Sequence, residues 1–112
     1  MWLFLNDAYL SIVADRTDPA RLLVRARFKG DLERVFGKVA VQETPTADYR
    51  YRTFVPRAVV AERIAKAVDA IAAPNFKASV KEDWRHDVYL KVWSTLRAAQ
   101  DQRARGSGRR PG

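Results

Sequence analysis

The chain of 112 residues contains no cysteine. That absence excludes a disulfide framework and thiolate metal centres, and it fits a reducing compartment. Long apolar runs are also missing. The opening stretch MWLFLNDAYLSIVADR has no basic residue ahead of its apolar run, and Asp7 interrupts that run. It is expected to be neither a secretory signal nor a membrane span, which makes the cytoplasm the expected location. Histidine occurs once, at His86. There is no Walker phosphate loop, no Gly-x-Gly-x-x-Gly and no internal repeat, and Ser11, Ser79 and Ser94 stand in no nucleophile-elbow context.

The residues that are present describe a globular protein. Some 47% are hydrophobic and 30% charged, and three Trp, four Tyr and five Phe supply the bulk for a core. The length suits one domain. The net charge is +8. The segment DQRARGSGRRPG from 101 to 112 sets four arginines against Asp101, so it carries +3 and residues 1–100 carry +5. A body of this sign attracts polyanions or acidic protein surfaces over long range. Arg outnumbers Lys 15 to 6, so a compositional arginine bias on a solvated surface accounts for the charge equally well.

Hydrophobic periodicity sets out the elements. Trp2–Leu5 and Tyr9–Ala14, separated by Asn6-Asp7, read as a β-hairpin. In Leu22–Phe28, Leu22, Val24, Ala26 and Phe28 alternate with Arg25 and Arg27, the pattern of a half-buried strand. Asp31 is placed to cap a short helix that Gly37 closes. Val39–Glu43 reads as a strand. Tyr49–Val55 alternates again, with Tyr49, Tyr51, Thr53 and Val55 on one face and Arg50, Arg52 and Phe54 on the other. Pro56 suits the start of a helix with Val60, Ile64, Val68 and Ile71 as its apolar stripe, and Pro74 ends it. Asn75 caps a last helical region striped by Phe76, Val80, Trp84, Val88, Val92 and Leu96, with a bend near Trp84–His86. From Asp101 the composition predicts a basic disordered tail, 101–112, after a single α+β domain over 1–100.

The element order is β β β α β β α α. The central βαββα block predicts a ferredoxin-like split-βαβ antiparallel sheet with helices on one face. YRYRTFV would lie between LLVRARF and VAVQE, antiparallel to both. The N-terminal hairpin would take the place of a C-terminal strand, a circular shift of that arrangement. One sheet face would then carry Arg25, Arg27, Arg50 and Arg52. Opposed like charges destabilise a sheet, so these cations need anions. Asp7, Asp15, Glu43 and Asp48 are the internal candidates; phosphates or acidic side chains are the external ones, since guanidinium binds both through paired hydrogen bonds. The alternation places Tyr49 and Tyr51 on the packed side, unlike the exposed stacking aromatics of RNA-recognition sheets, and no RNP-like block is present.

Other chemistry is thinly represented. His86 and Asp87 are consecutive on a predicted helix and diverge by about 100°, so the carboxylate does not naturally orient the imidazole. Catalytic residues, metal ligands and cofactors are accordingly not expected. Asn75-Phe76-Lys77 opens a helix whose free N–H groups, with Lys77, could hold an anion, or it is simply a capped start with Phe76 in the core. Trp84, Tyr89 and Trp93 read as core, with any exposed part available to a homodimer interface.

Five blocks together, MWLF at 1–4, LVRAR at 23–27, DYRYR at 48–52, NFK at 75–77 and HDVYLKVW at 86–93, resemble a widespread group of small bacterial and phage-associated proteins. The resemblance covers residues 1–97 or so and leaves the tail outside. No activity is established for that group, so the resemblance implies a compact domain and transfers no mechanism. The leading expectation is a small non-enzymatic binding domain for an anionic partner, first nucleic acid, through Arg25, Arg27, Arg50 and Arg52 with Lys77. The alternative is a phage or mobile-element adaptor or inhibitor that docks an acidic protein. No membrane partner is expected.

Overall fold

The computed structural model describes residues 1–107. The chain divides into two compact units, one from Met1 to Pro74 and one from Asn75 onward.

In the first unit five strands form one antiparallel sheet. They are β1 (Trp2–Phe4), β2 (Tyr9–Ala14), β3 (Arg21–Ala26), β4 (Gln42–Glu43) and β5 (Tyr51–Pro56), in the order β1-β2-β3-β5-β4. The hairpin over the first two strands and the position of β5 between β3 and β4 follow the sequence expectation. The Met1 ammonium donates to the Ile12 carbonyl at 2.6 Å, and the Ile12 N–H donates back to Met1 at 2.8 Å, which extends the β1–β2 pairing. At β4 the expected strand shrinks to two residues. Val39 and Val41 are drawn against the core instead of pairing along the sheet.

Two helices cover one face of this sheet. They are α1 (Asp31–Phe36) and α2 (Arg57–Asp69). Alternation puts Leu10, Ile12, Val24, Ala26 and Val55 on that face, where they join Leu32 and Phe36 of α1 and Val60 of α2 in one buried cluster. Burying a side chain such as Leu10 or Val24 contributes about 1.5–3 kcal/mol. Pro56 closes β5 and stands at the N-cap of α2, where its fixed φ and missing N–H are harmless.

Asp31 does not cap α1. Gly30 takes that position with φ 91°, and the Asp31 carboxylate is fully buried inside the first turn. There it accepts the Tyr9 backbone N–H at 2.9 Å and the Arg34 guanidinium at 2.7 Å, tying α1 to β2. Gly37 ends the helix at φ 74°, a conformation that disfavours any Cβ.

The second unit holds α3 (Phe76–Ser79) and α4 (Asp83–Ser107). The break between them falls at 80–82, before the expected bend. Asn75 caps α3 as expected, its Oδ1 accepting the Ala78 N–H at 3.3 Å. The rings of Phe76 and Tyr89 stack at 5.8 Å. Arg85 is fully buried, donating from Nε to Glu82 at 2.7 Å, with its guanidinium 4.5 Å from the Trp84 ring. Residues 101–107 continue α4 instead of starting a structureless tail. Ala98, Ala99, Gln100, Gln102 and Arg103 are good helix formers, and Arg97 pairs with Asp101 one turn on at 3.3 Å. The remainder of the expected tail, 108–112, lies outside the described residues.

Candidate nucleic-acid interface

The helices sit on the face of Leu10 and Val24, so the opposite face takes the intervening residues of every strand. Register fixes the order of that face. Trp2 lies opposite Ser11, Ser11 opposite Arg25, Arg25 opposite Arg52, and Arg52 opposite Gln42. One row of side chains thus crosses all five strands, with two arginines directly opposed at its centre. The neighbouring row carries Val13, Leu23 and Phe54.

The two central arginines differ from the other cations. Arg52 is half-buried, and its side chain makes no hydrogen bond or ion pair among the described residues; its Nε is occluded and unbonded. Arg25 donates to the Ser11 hydroxyl at 2.8 Å and lies 4.4 Å from the Tyr49 ring, but no carboxylate among the described residues reaches it, and its Nε is also unbonded. Two positive groups opposed across a strand pair repel each other, and a sheet keeps them only at a loss of stability.

Arg27 and Arg50 lie just outside the strands. Arg27 follows β3 and donates to Asp48 twice, to its carbonyl at 2.8 Å and its carboxylate at 3.1 Å. Desolvation lowers the Arg27 guanidinium, but the hydrogen bond and charge of Asp48 outweigh it and leave its pKa above the ordinary value. Arg50 precedes β5 and pairs with Glu43 at 2.8 Å, and this hydrogen bond and charge raise it likewise. Both pairs are solvent-exposed, where an ion pair contributes about 0.2–1 kcal/mol and yields readily to a competing anion. Of the remaining internal carboxylates, Asp15 binds Arg21, and the carbonyl of Asp7 accepts from Arg34 at 3.4 Å. Neither reaches Arg25 or Arg52.

Tyr49 departs from its expected place. It is buried, but on the arginine side, with Arg27 4.1 Å from its ring on top of the Arg25 contact. β5 begins only at Tyr51, so the strict alternation of the strand does not extend back to residue 49. Burial raises the Tyr49 phenol, but hydrogen bonds with Ser11 and Tyr9 and the charge of Arg27 prevail and hold it below the ordinary tyrosine value. Tyr51 is on the packed face as expected, beside the core cluster.

Two aromatics on the arginine face were not among the expected site residues. Phe54 is 46% exposed and carries the Arg21 guanidinium 4.0 Å from its ring centroid. Trp2 is 67% exposed at the edge strand. Phe54 shares the phase of Arg52 and is readable by alternation alone. Trp2 needs the β1–β2 register, which no local pattern supplies.

Lys77 belongs to the second unit, in α3, with its ammonium 4.5 Å from the Trp93 ring. α3 is four residues long, and Asn75 accepts one of its N-terminal N–H groups, that of Ala78. His86 is half-buried on α4, its Nδ1 3.9 Å from Asp87. Among the described residues no three His, Cys, Asp or Glu side chains are grouped to hold a metal ion, and no helix is long and apolar enough to cross a membrane.

No protein-family model, curated protein or solved structure matches this chain.

Proposed function

We propose that the protein is a small non-enzymatic binding domain that engages nucleic acid through the sheet face of Arg25 and Arg52. The observation that carries this reading is the opposed arginine pair with no carboxylate in reach. A phosphate between the outer ends of two guanidiniums offsets the repulsion and accepts from their terminal N–H groups. Arg27 and Arg50 flank the pair and exchange Asp48 and Glu43 for phosphates as the partner binds. The net charge of +8 steers the encounter. Lys77, in the second unit, adds its charge to this general field.

The fold is read in the same way as a ferredoxin-like split βαβ sheet, circularly shifted so that the N-terminal hairpin replaces a C-terminal strand. The order β1-β2-β3-β5-β4 supports it. Kinship with the small bacterial and phage-associated group belongs to this proposal too, and a cytoplasmic location suits it.

Fluorescence anisotropy with a mixed-sequence oligonucleotide over a salt series tests the function. The logarithm of the affinity should fall linearly with the logarithm of salt. If two phosphates are lost, the Arg25→Gln/Arg52→Met variant should shed about 1.4–1.8 from that slope. An unchanged slope and affinity would remove the face from the interface. Tighter binding of polyglutamate than of nucleic acid at equal salt would assign the face to an acidic protein instead.

A further inference from the structure

We infer that the face is built for a single-stranded nucleic acid laid across the strands, with unpaired bases stacked on Trp2 and Phe54 and a phosphate held between Arg25 and Arg52. This inference rests on the nucleic-acid reading above and goes further by naming the form of the partner. Its basis is the placement of two exposed rings around the cation pair.

Trp2 stands in the same cross-strand row as the arginines, two strands from Arg25. With strands spaced about 4.8 Å apart, the Trp2 and Arg25 backbones are about 10 Å apart. Phe54 lies two residues along β5 from Arg52, about 7 Å at the usual rise per residue. The adjacent cations are thus flanked by one ring in their own row and one in the neighbouring row, at spacings that suit a phosphate and the bases beside it in an extended strand. Gln42 continues the row beyond Arg52 and is exposed, so its amide offers a donor and an acceptor to a base edge.

Large rings are not left open on a sheet without consequence. Phe54 is 46% exposed and Trp2 67%, on a face that also holds buried Tyr9 and Ser11. A duplex must unstack a base step to use such rings, because its bases are already stacked on both sides. An unpaired base can, since every base has a stacking face. The Arg21 guanidinium over Phe54 is itself flat and is held by Asp15, so the ring and the guanidinium together form a stacking platform. The centre of the row holds only two uncompensated cations, too few to span the phosphates on both sides of a duplex groove.

The test compares three probes on the full chain: a mixed-sequence single strand, the same sequence as a duplex, and heparin. The single strand should bind about ten-fold more tightly than the duplex. Trp2→Leu and Phe54→Leu keep apolar bulk at exposed sites and should each weaken single-strand binding about ten-fold, the range expected for losing one stacked base, with heparin binding unchanged. Trp2→Phe and Phe54→Tyr should restore it. If the leucine variants bind the single strand as wild type does, or the duplex binds equally well, while Arg25→Gln/Arg52→Met still abolishes binding, the single-strand inference fails and the nucleic-acid reading survives. If neither nucleic acid binds at low salt, both fail together.

Discussion

Replacing Arg52 by methionine should stabilise the protein. The substitution keeps an unbranched stem as far as the position of the arginine Nε and removes the guanidinium with its charge. Arg52 opposes Arg25 directly, and neither meets a carboxylate. At the spacing of about 5 Å usual for directly opposed side chains in a sheet, two unit charges repel by roughly 0.8–3.3 kcal/mol as the effective dielectric falls from about 80 to about 20. Like charges facing each other in sheets typically lose about 0.2–1 kcal/mol. The half-exposed position favours the lower range, so the expected gain is about 0.5–1 kcal/mol. For a chain of this size that raises Tm by roughly 2–6 °C. Arg52→Lys is the matched control because it keeps both stem and charge. Thermal and urea unfolding of the two variants at low salt should place methionine above lysine, and the gap should close toward 1 M salt, where the Debye length is about 3 Å. A methionine variant no more stable than the lysine variant, or a gap indifferent to salt, would refute the repulsion argument. The same methionine substitution should weaken oligonucleotide binding, so stability and affinity move in opposite directions.

Other consequences can be checked separately. Asp31→Asn should destabilise the first unit by about 2 kcal/mol in urea unfolding, since the buried carboxylate holds both Tyr9 and Arg34. Gly37→Ala should lose about 1–3 kcal/mol at its positive φ, while Lys38→Ala beside it should change little. The Tyr49 phenol is lowered in the folded state, so its contribution to stability appears as pH climbs through its folded pKa toward the ordinary tyrosine value and is absent below. Ultraviolet titration should therefore find a tyrosinate transition below the ordinary range that Tyr49→Phe deletes; a variant that keeps it would assign the shift elsewhere.

The sheet was largely legible because its strands alternate cleanly. LLVRAR and YRTFV announce both their packed residues and their arginines, and Asn6-Asp7 marks the hairpin turn. The failures have local causes. Tyr49 precedes β5 in a bend, so counting by twos carried it to the wrong face. Val39 and Val41 have strand composition, but the core claims them before they can pair. Asp31 has the chemistry of a cap, yet a carboxylate that can reach Tyr9 and Arg34 is more useful buried one position inside. The polar run after Arg97 looked like a tail because it lacks apolar residues, whereas alanine, glutamine and arginine propagate a helix without them. Trp2 needed register to join the arginine face, and register is a non-local property. Phe54 was in phase with Arg52 from the start, but its openness depends on what packs above it.

The most direct measurement is of the arginine side chains themselves. In a 15N-edited NMR titration with a short single-stranded oligonucleotide, the Nε–H signals of Arg25 and Arg52 should shift furthest and saturate together. Arg50, whose Nε already donates to Glu43 at 2.8 Å, should move less. Shifts confined to Arg50 and the arginines of α4, with Arg25 and Arg52 unmoved at saturation, would contradict the assignment of this face.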